Sequence, residues 1–188
     1  RQMCIRDRWE GVVRMKQQTN GNNPIRVLHM APIRMGGITE LVLTLSEKID
    51  SEKVQFDYLT FEDTFDQASK RAKEAHSTIY RVDLQTIKNP IIRGLKKFFG
   101  IIKLVHSEQI KIIHINSSTP YEVLVAFAAK IGGAKKIIYH SHNSSYYPGQ
   151  KLVKLSEVFK WFMPFVITDY LSCSDACLLY TSDAADDL

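Results

Sequence analysis

Short β-branched runs alternating with segments of helical period are the feature that most limits what this chain can fold into. The first run, Ile25 to Ala31, is bounded by Pro24 and Pro32 and suits a buried strand. Gly36 and Gly37 then open a segment, 38–49, in which Leu41, Val42, Leu45 and Ile49 recur at helical spacing. Further strands are expected at 54–61, 78–82, 111–116, 136–141 and 166–173, with helices at 64–75, 90–106, 120–131 and 152–161. Pro90 suits a helix start, where its missing N–H costs nothing, and Gly132-Gly133 suits a helix end. Six strands alternating with five helices imply an α/β fold, a doubly wound and mostly parallel Rossmann-like sheet. At 188 residues and 45% hydrophobic content, the chain has the material for one well-buried domain.

The two ends read differently. Residues 177–188 and 1–8 can both be back-translated into sequence that resembles the transposase adapter of sequencing libraries, so both are expected to be artefacts without biological function. Residues 9–24, polar and rich in Asn toward Pro24, are expected to be a flexible leader with Met15 a plausible start, which leaves the domain at 25–176. Removing 1–8 and 177–188 takes Lys plus Arg from 25 to 22 and Asp plus Glu from 20 to 16, so the body carries +6. Cys173 is then the one remaining cysteine, too few for a disulfide or a Cys-rich metal site. No apolar run has the length of a membrane span and no secretory signal precedes the first strand, so a cytoplasmic location is expected. Nucleic acid is not expected as a partner, because the basic residues form no recognition motif.

In open parallel sheets ligands bind beyond the carboxyl ends of the strands, so the polar residues just after each strand are the candidates. Three segments qualify: Gly36-Gly37, Asn116-Ser117 with the two residues after them, and His140-Ser141-His142-Asn143. Glycines let a backbone approach a ligand, and the amides of the helix behind them favour an anion such as phosphate. The G-x-G-x-x-G and G-x-x-x-x-G-K-[ST] patterns are absent, which counts against a dinucleotide oxidoreductase and a P-loop nucleotidase. His140 and His142 fall on one side of an extended chain and Ser141 on the other. A metal would need a third ligand that no pattern supplies, so the pair suits hydrogen bonding to a polyhydroxylated ligand or proton handling instead. His29, His76, His106 and His114 are read as strand or helix residues without chemistry. No pair of carboxylates follows the strand ends as a glycoside hydrolase requires, so transfer fits better than hydrolysis.

Ile25-Arg26-Val27-Leu28-His29-Met30, then Met35-Gly36-Gly37-Ile38, then His140-Ser141-His142-Asn143, and finally Asp169 to Ala176 together resemble the N-terminal domain of glycosyltransferase family 4. The resemblance is to members that build bacterial capsular and other exopolysaccharides, and it covers about residues 25–176. It implies a GT-B architecture, in which two Rossmann-like domains face each other across a cleft and this chain is the N-terminal half. It also implies a retaining glycosyltransferase that uses no cofactor or tightly bound metal. The nucleotide-sugar donor would be held mainly by the missing C-terminal domain, and a glycan or lipid-linked acceptor by this half. His142 matches the histidine beside the transferred sugar, the catalytic candidate. Gly36 and Gly37 match the loop that approaches the donor phosphates, and Asn116, Ser117, Ser141 and Asn143 complete the candidate substrate-binding set. On this reading the chain alone does not catalyse transfer. The alternatives are a non-catalytic α/β binding module and another nucleotide-using enzyme built on the same sheet.

The helix at 90–106 mixes Arg93, Lys96, Lys97 and Lys103 with apolar residues, a composition that could rest on an anionic membrane surface where lipid-linked acceptors lie. The favoured expectation is plainer: Ile91, Leu95, Phe98, Ile102 and Val105 face the core and the lysines are solvated.

Overall fold

The computed structural model describes residues 12–15, 24–31, 33, 36–117, 122–142 and 158–173. Its frame is one seven-stranded sheet. Strand β1 (Val12–Met15) is an edge strand, and the sheet continues through β2 (Ile25–Met30), β3 (Val54–Thr60), β4 (Ile79–Val82), β5 (Ile112–Ser117), β6 (Lys136–Ser141) and β7 (Asp169–Ser172). The spatial order is β1-β4-β3-β2-β5-β6-β7. Every pairing from β4 to β7 is parallel, and β1 alone runs antiparallel, against β4. The chain therefore builds outward from β2 in one direction, crosses back, and builds outward from β5 in the other. The reversal of strand order falls between β2 and β5, where such sheets open a crevice beyond their carboxyl ends.

Among the described residues, α1 (Gly37–Lys48), α2 (Asp66–Glu74), α3 (Pro90–Ser107) and α4 (Val123–Gly132) connect the strands from β2 to β6. Helices α1 and α2 cover one face over β2 to β4, with a core of Ala31, Ile33, Val42, Leu43, Tyr58, Ala68, Ala72 and Ile79. The larger core lies on the opposite face under α3 and α4, where Leu28, Leu59, Ile113, Ile115, Ile137 and Tyr139 are fully buried or nearly so. Alternation along each strand sorts these residues, since neighbours point to opposite faces.

Local chemistry sets the ends of the helices. Asn89 caps α3 by accepting hydrogen bonds from the amides of Ile91 at 2.9 Å and Ile92 at 3.2 Å, ahead of Pro90 in the first turn. The expected Gly-Gly stop of α4 splits into two roles. Gly133 adopts the left-handed backbone, φ 105°, that closes the helix. Gly132 is still helical, and a Cβ there would meet the Val105 side chain at 2.8 Å and the Ile102 carbonyl at 2.9 Å. Its lack of a side chain is what lets α3 and α4 approach so closely.

One polar network lies under α3 at the amino ends of the strands. Asp57, fully buried on β3, accepts from Arg26 Nε at 2.8 Å and from the amide of Thr78 at 2.8 Å. Arg26 also donates to the Tyr80 hydroxyl at 2.6 Å, which donates to Glu108 Oε2 at 2.9 Å. Strands β2, β3 and β4 are thus tied to the residue that ends α3.

Two expectations change here, and a third lies mostly outside the described residues. Val12–Met15, inside the stretch read as a flexible leader, pairs with β4; an edge strand of four residues is held by main-chain hydrogen bonds that leave little trace in residue type. The fifth expected helix, 152–161, lies mostly outside the described residues; 158–160 are helical and a 3-10 turn follows at Met163–Phe165. The apolar stripe of α3 is only partly inward. Val105 is buried and Phe98 and Ile102 pack against the core, whereas Ile91 is 73% and Leu95 52% exposed. The reason is length. Eighteen helical residues span about 27 Å and the six residues of β5 about 20 Å, so with its last turn anchored through Glu108 the first turns of α3 overhang the carboxyl end of the sheet.

Candidate active site

Four histidines line up across the face of the sheet opposite α3 and α4. Strand register places them: His29 on β2 stands beside His114 on β5, and Asn116, two residues on, stands beside His140 on β6. His142 follows the end of β6 on the same side. The rings form a continuous series, with centroids 4.7 Å apart from His29 to His114, 5.4 Å from His114 to His140, and 4.1 Å from His140 to His142. His114 and His140 are stacked within 9° of parallel. Phe56 closes the inner end at 4.3 Å from His29.

Asn116, itself buried, bridges the two ends of this series. Its Oδ1 lies 3.2 Å from His142 Nε2, and its Nδ2 lies 3.4 Å from His29 Nδ1. The rings lie side by side and do not converge on a point. Among the described residues no group of three or more His, Cys, Asp or Glu side chains could hold a metal ion.

The environment keeps these imidazoles neutral. Burial, reinforced by His114 and His140, pushes His29 down to about 3 from an ordinary 6.5. Burial together with the neighbouring histidines lowers His114 to about 4, and burial with His140 lowers His142 to about 4. His140 is lowered by burial. At neutral pH the face therefore presents hydrogen-bonding groups without charge.

The glycine loop meets this face at the same end of the sheet. Gly36 precedes α1, and Gly37 is its first residue. Neither lies in the left-handed region, Gly36 being extended at φ 162°, and a Cβ built at either would meet nothing within 4 Å. Their own fold does not require glycine, and the space beside them is open for a ligand near the first turn of α1.

The structure thus brings together Gly36, Gly37, Asn116 and His142 at the carboxyl ends of the adjacent strands β2, β5 and β6. Ser117 ends β5, in register with Ser141. Ser141 is 2% exposed on the face it shares with Tyr139 and Ile137, so it lines the α4 side and not the histidine face. Asn143 lies outside the described residues. The sequence reading missed His29 and His114, because their relation to His140 and His142 exists only through strand register.

Solved structures share this fold. MurG from Acinetobacter baumannii superposes with a TM-score of 0.55 at 16% identity, over 81% of this chain and 43% of that one. A structure described as a "putative UDP-N-acetylglucosamine 2-epimerase" from Listeria monocytogenes superposes with a TM-score of 0.64 at 11% identity, over 87% of this chain and 42% of that one. These likenesses show the class of fold, a Rossmann-like α/β domain. Residues 35–188 match the profile of Glycosyltransferase Family 4, and the chain belongs to that family, as an N-terminal GT-B domain. It is also 28% identical over 130 residues to the Bacillus subtilis (strain 168) protein named "Putative glycosyltransferase EpsF". That match covers 66% of this chain and 32% of the relative, so the chain spans about a third of the length of the curated protein it matches.

Neutral buried histidines have a consequence for stability. Below an ordinary 6.5 the unfolded chain takes up protons that folded His29, His114 and His142 refuse until about 3 to 4, so stability is complete well above 6.5 and falls as pH drops from there toward about 4. For His29 alone, roughly 1 kcal/mol is lost by one unit below its ordinary value. Urea midpoints are expected to be level above pH 7 and to fall between pH 6.5 and 4; a level profile down to pH 5 would contradict the neutral assignment.

Proposed function

We propose that this chain is the acceptor-side half of a retaining glycosyltransferase that moves a sugar from a nucleotide-sugar donor to a glycan or lipid-linked acceptor in bacterial polysaccharide synthesis. The observation that carries the reading is the arrangement of Gly36, Gly37, Asn116 and His142 at one rim of a sheet whose chain belongs to glycosyltransferase family 4. Breaking a sugar–phosphate bond develops positive charge on the sugar and negative charge on the departing diphosphate. The open glycine turn and the first amides of α1 suit the diphosphate, and His142, neutral and fixed by Asn116, suits a hydroxyl of the sugar beside it. A second domain closing over this rim would hold most of the donor and supply the alignment that gives transfer its rate.

The overhang of α3 supports a membrane-bound acceptor. Ile91, Ile92, Leu95 and Phe99 are between 52% and 73% exposed, and Lys88, Arg93, Lys96 and Lys103 lie on the same stretch of chain, with Arg93 donating to the Ile87 carbonyl at 2.9 Å. Exposed apolar residues with basic ones beside them suit an anionic lipid surface, and this patch lies at the same end of the sheet as His142. Lys97 is differently engaged: it pairs with Glu122 at 2.9 Å and sits 4.4 Å over the Phe61 ring.

Two measurements test these readings. In the complete enzyme, one that carries the second domain, His142→Ala is expected to lower transfer far more than His140→Ala; equal small losses in both, with circular dichroism unchanged, would remove His142 from the mechanism. Partitioning onto phosphatidylglycerol vesicles is expected to fall several-fold when Lys96 and Lys103 become Glu together, and unchanged partitioning would exclude α3 as the membrane contact.

A further inference from the structure

The amide of Asn116 touches two imidazoles at once, and each of its atoms has a single hydrogen-bonding role. Oδ1 can only accept, so His142 Nε2, 3.2 Å away, must carry the proton. Nδ2 can only donate, so His29 Nδ1, 3.4 Å away, must offer a lone pair. We propose that Asn116 is a positioning residue that locks His142 in one tautomer, with Nε2 protonated and Nδ1 bare, and that buried His29 locks Asn116 in turn.

Burial gives the device its strength. Asn116 is 4% and His29 2% exposed, so neither has ready access to bulk water as a substitute partner. His29 Nε2 is buried without a hydrogen-bond partner among the described residues, so Nδ1 is the nitrogen through which this ring is tied. Rotating the Asn116 amide by half a turn would reverse both tautomers together, never one alone, and an unpaired buried group would be left if only one ring changed. His29 is thus linked to His142 through one amide although the two lie on β2 and after β6.

The consequence rests on the reading of His142 as the residue beside the transferred sugar. With Nε2 committed to Asn116, the other ring nitrogen of His142 is a lone pair, so toward a ligand it accepts a hydrogen bond and does not donate one. The ligand group it selects is a donor, a free sugar or acceptor hydroxyl. An analogue with that hydroxyl replaced by a methyl ether or by hydrogen leaves the lone pair unmet, a class of mismatch that sites built to bond a hydroxyl reject strongly.

The test needs no transfer activity. In the full 188-residue chain labelled with 15N at the histidine rings, long-range proton–nitrogen correlation reads which nitrogen of each ring is protonated. The wild type is expected to show His142 protonated on Nε2 and His29 bare on Nδ1. Asn116→Asp, whose carboxylate only accepts, is expected to leave His142 as it is while His29 acquires a proton on Nδ1. Asn116→Ala is expected to release both rings to mixtures. A wild-type His142 protonated on Nδ1 overturns the proposal without any variant, as does an Asn116→Ala protein in which both tautomers persist. If the tautomers respond as expected and His142→Ala still transfers sugar in the complete enzyme, the lock stands and the role of His142 in transfer falls.

Discussion

The rest of the structure depends on a buried carboxylate, Asp57, and the groups that satisfy it. A fully buried charge without partners is untenable in a protein interior. Arg26 from β2, the Thr78 amide before β4, and the Gln55 side chain at 3.3 Å all reach Asp57. Arg26 passes the connection through Tyr80 to Glu108, where α3 ends. Those bonds form only when β2, β3 and β4 are in register and α3 has returned across the sheet, so they report on the crossover that separates the two halves of the fold. They also secure α3 at the amino ends of the strands, and this is what pushes its first turns past the carboxyl ends.

The two ends of the sheet are therefore unlike. At the amino end paired charges and hydrogen bonds meet Asp57, and Ser77 Oγ is a buried atom there without a partner among the described residues. The carboxyl end, with buried imidazoles lacking partners at His29 Nε2, His114 Nε2 and His140 Nδ1, holds polar groups not satisfied by the described residues. Such groups are costly to keep, and they concentrate where a site needs them. The open turn at Gly36 and Gly37 lies at this end, as does the exposed apolar start of α3.

Much of this frame was legible in the residues. Runs such as Ile25 to Met30 and Lys136 to Ser141 carry their burial in their own composition, and Pro90 marks a helix start before any fold is known. What could not be read lies between segments. His29 and His114 are 85 positions apart in sequence and adjacent in space because β2 and β5 pair, and nothing local to either announces it. Val12–Met15 is held by backbone pairing, which residue type barely records. The exposure of Ile91 and Leu95 was half-legible: period alone reports an apolar stripe, and only a comparison of helix and strand lengths reveals that the stripe outruns the sheet. The side of the sheet on which Ser141 lies was legible, since alternation alone puts it opposite His140 and His142.

The central claim is that substrates meet this domain at the carboxyl ends of β2, β5 and β6, and not at the charged amino end. Backbone amide shift mapping of the 15N-labelled chain during titration with uridine diphosphate tests it most directly. Weak binding is predicted to move the amides of Gly36, Gly37 and Ile38 and those near Asn116 and His142, leaving Arg26, Asp57 and Glu108 still. Shifts centred on Arg26, Tyr80 and Glu108 would place the site at the wrong end and contradict the account.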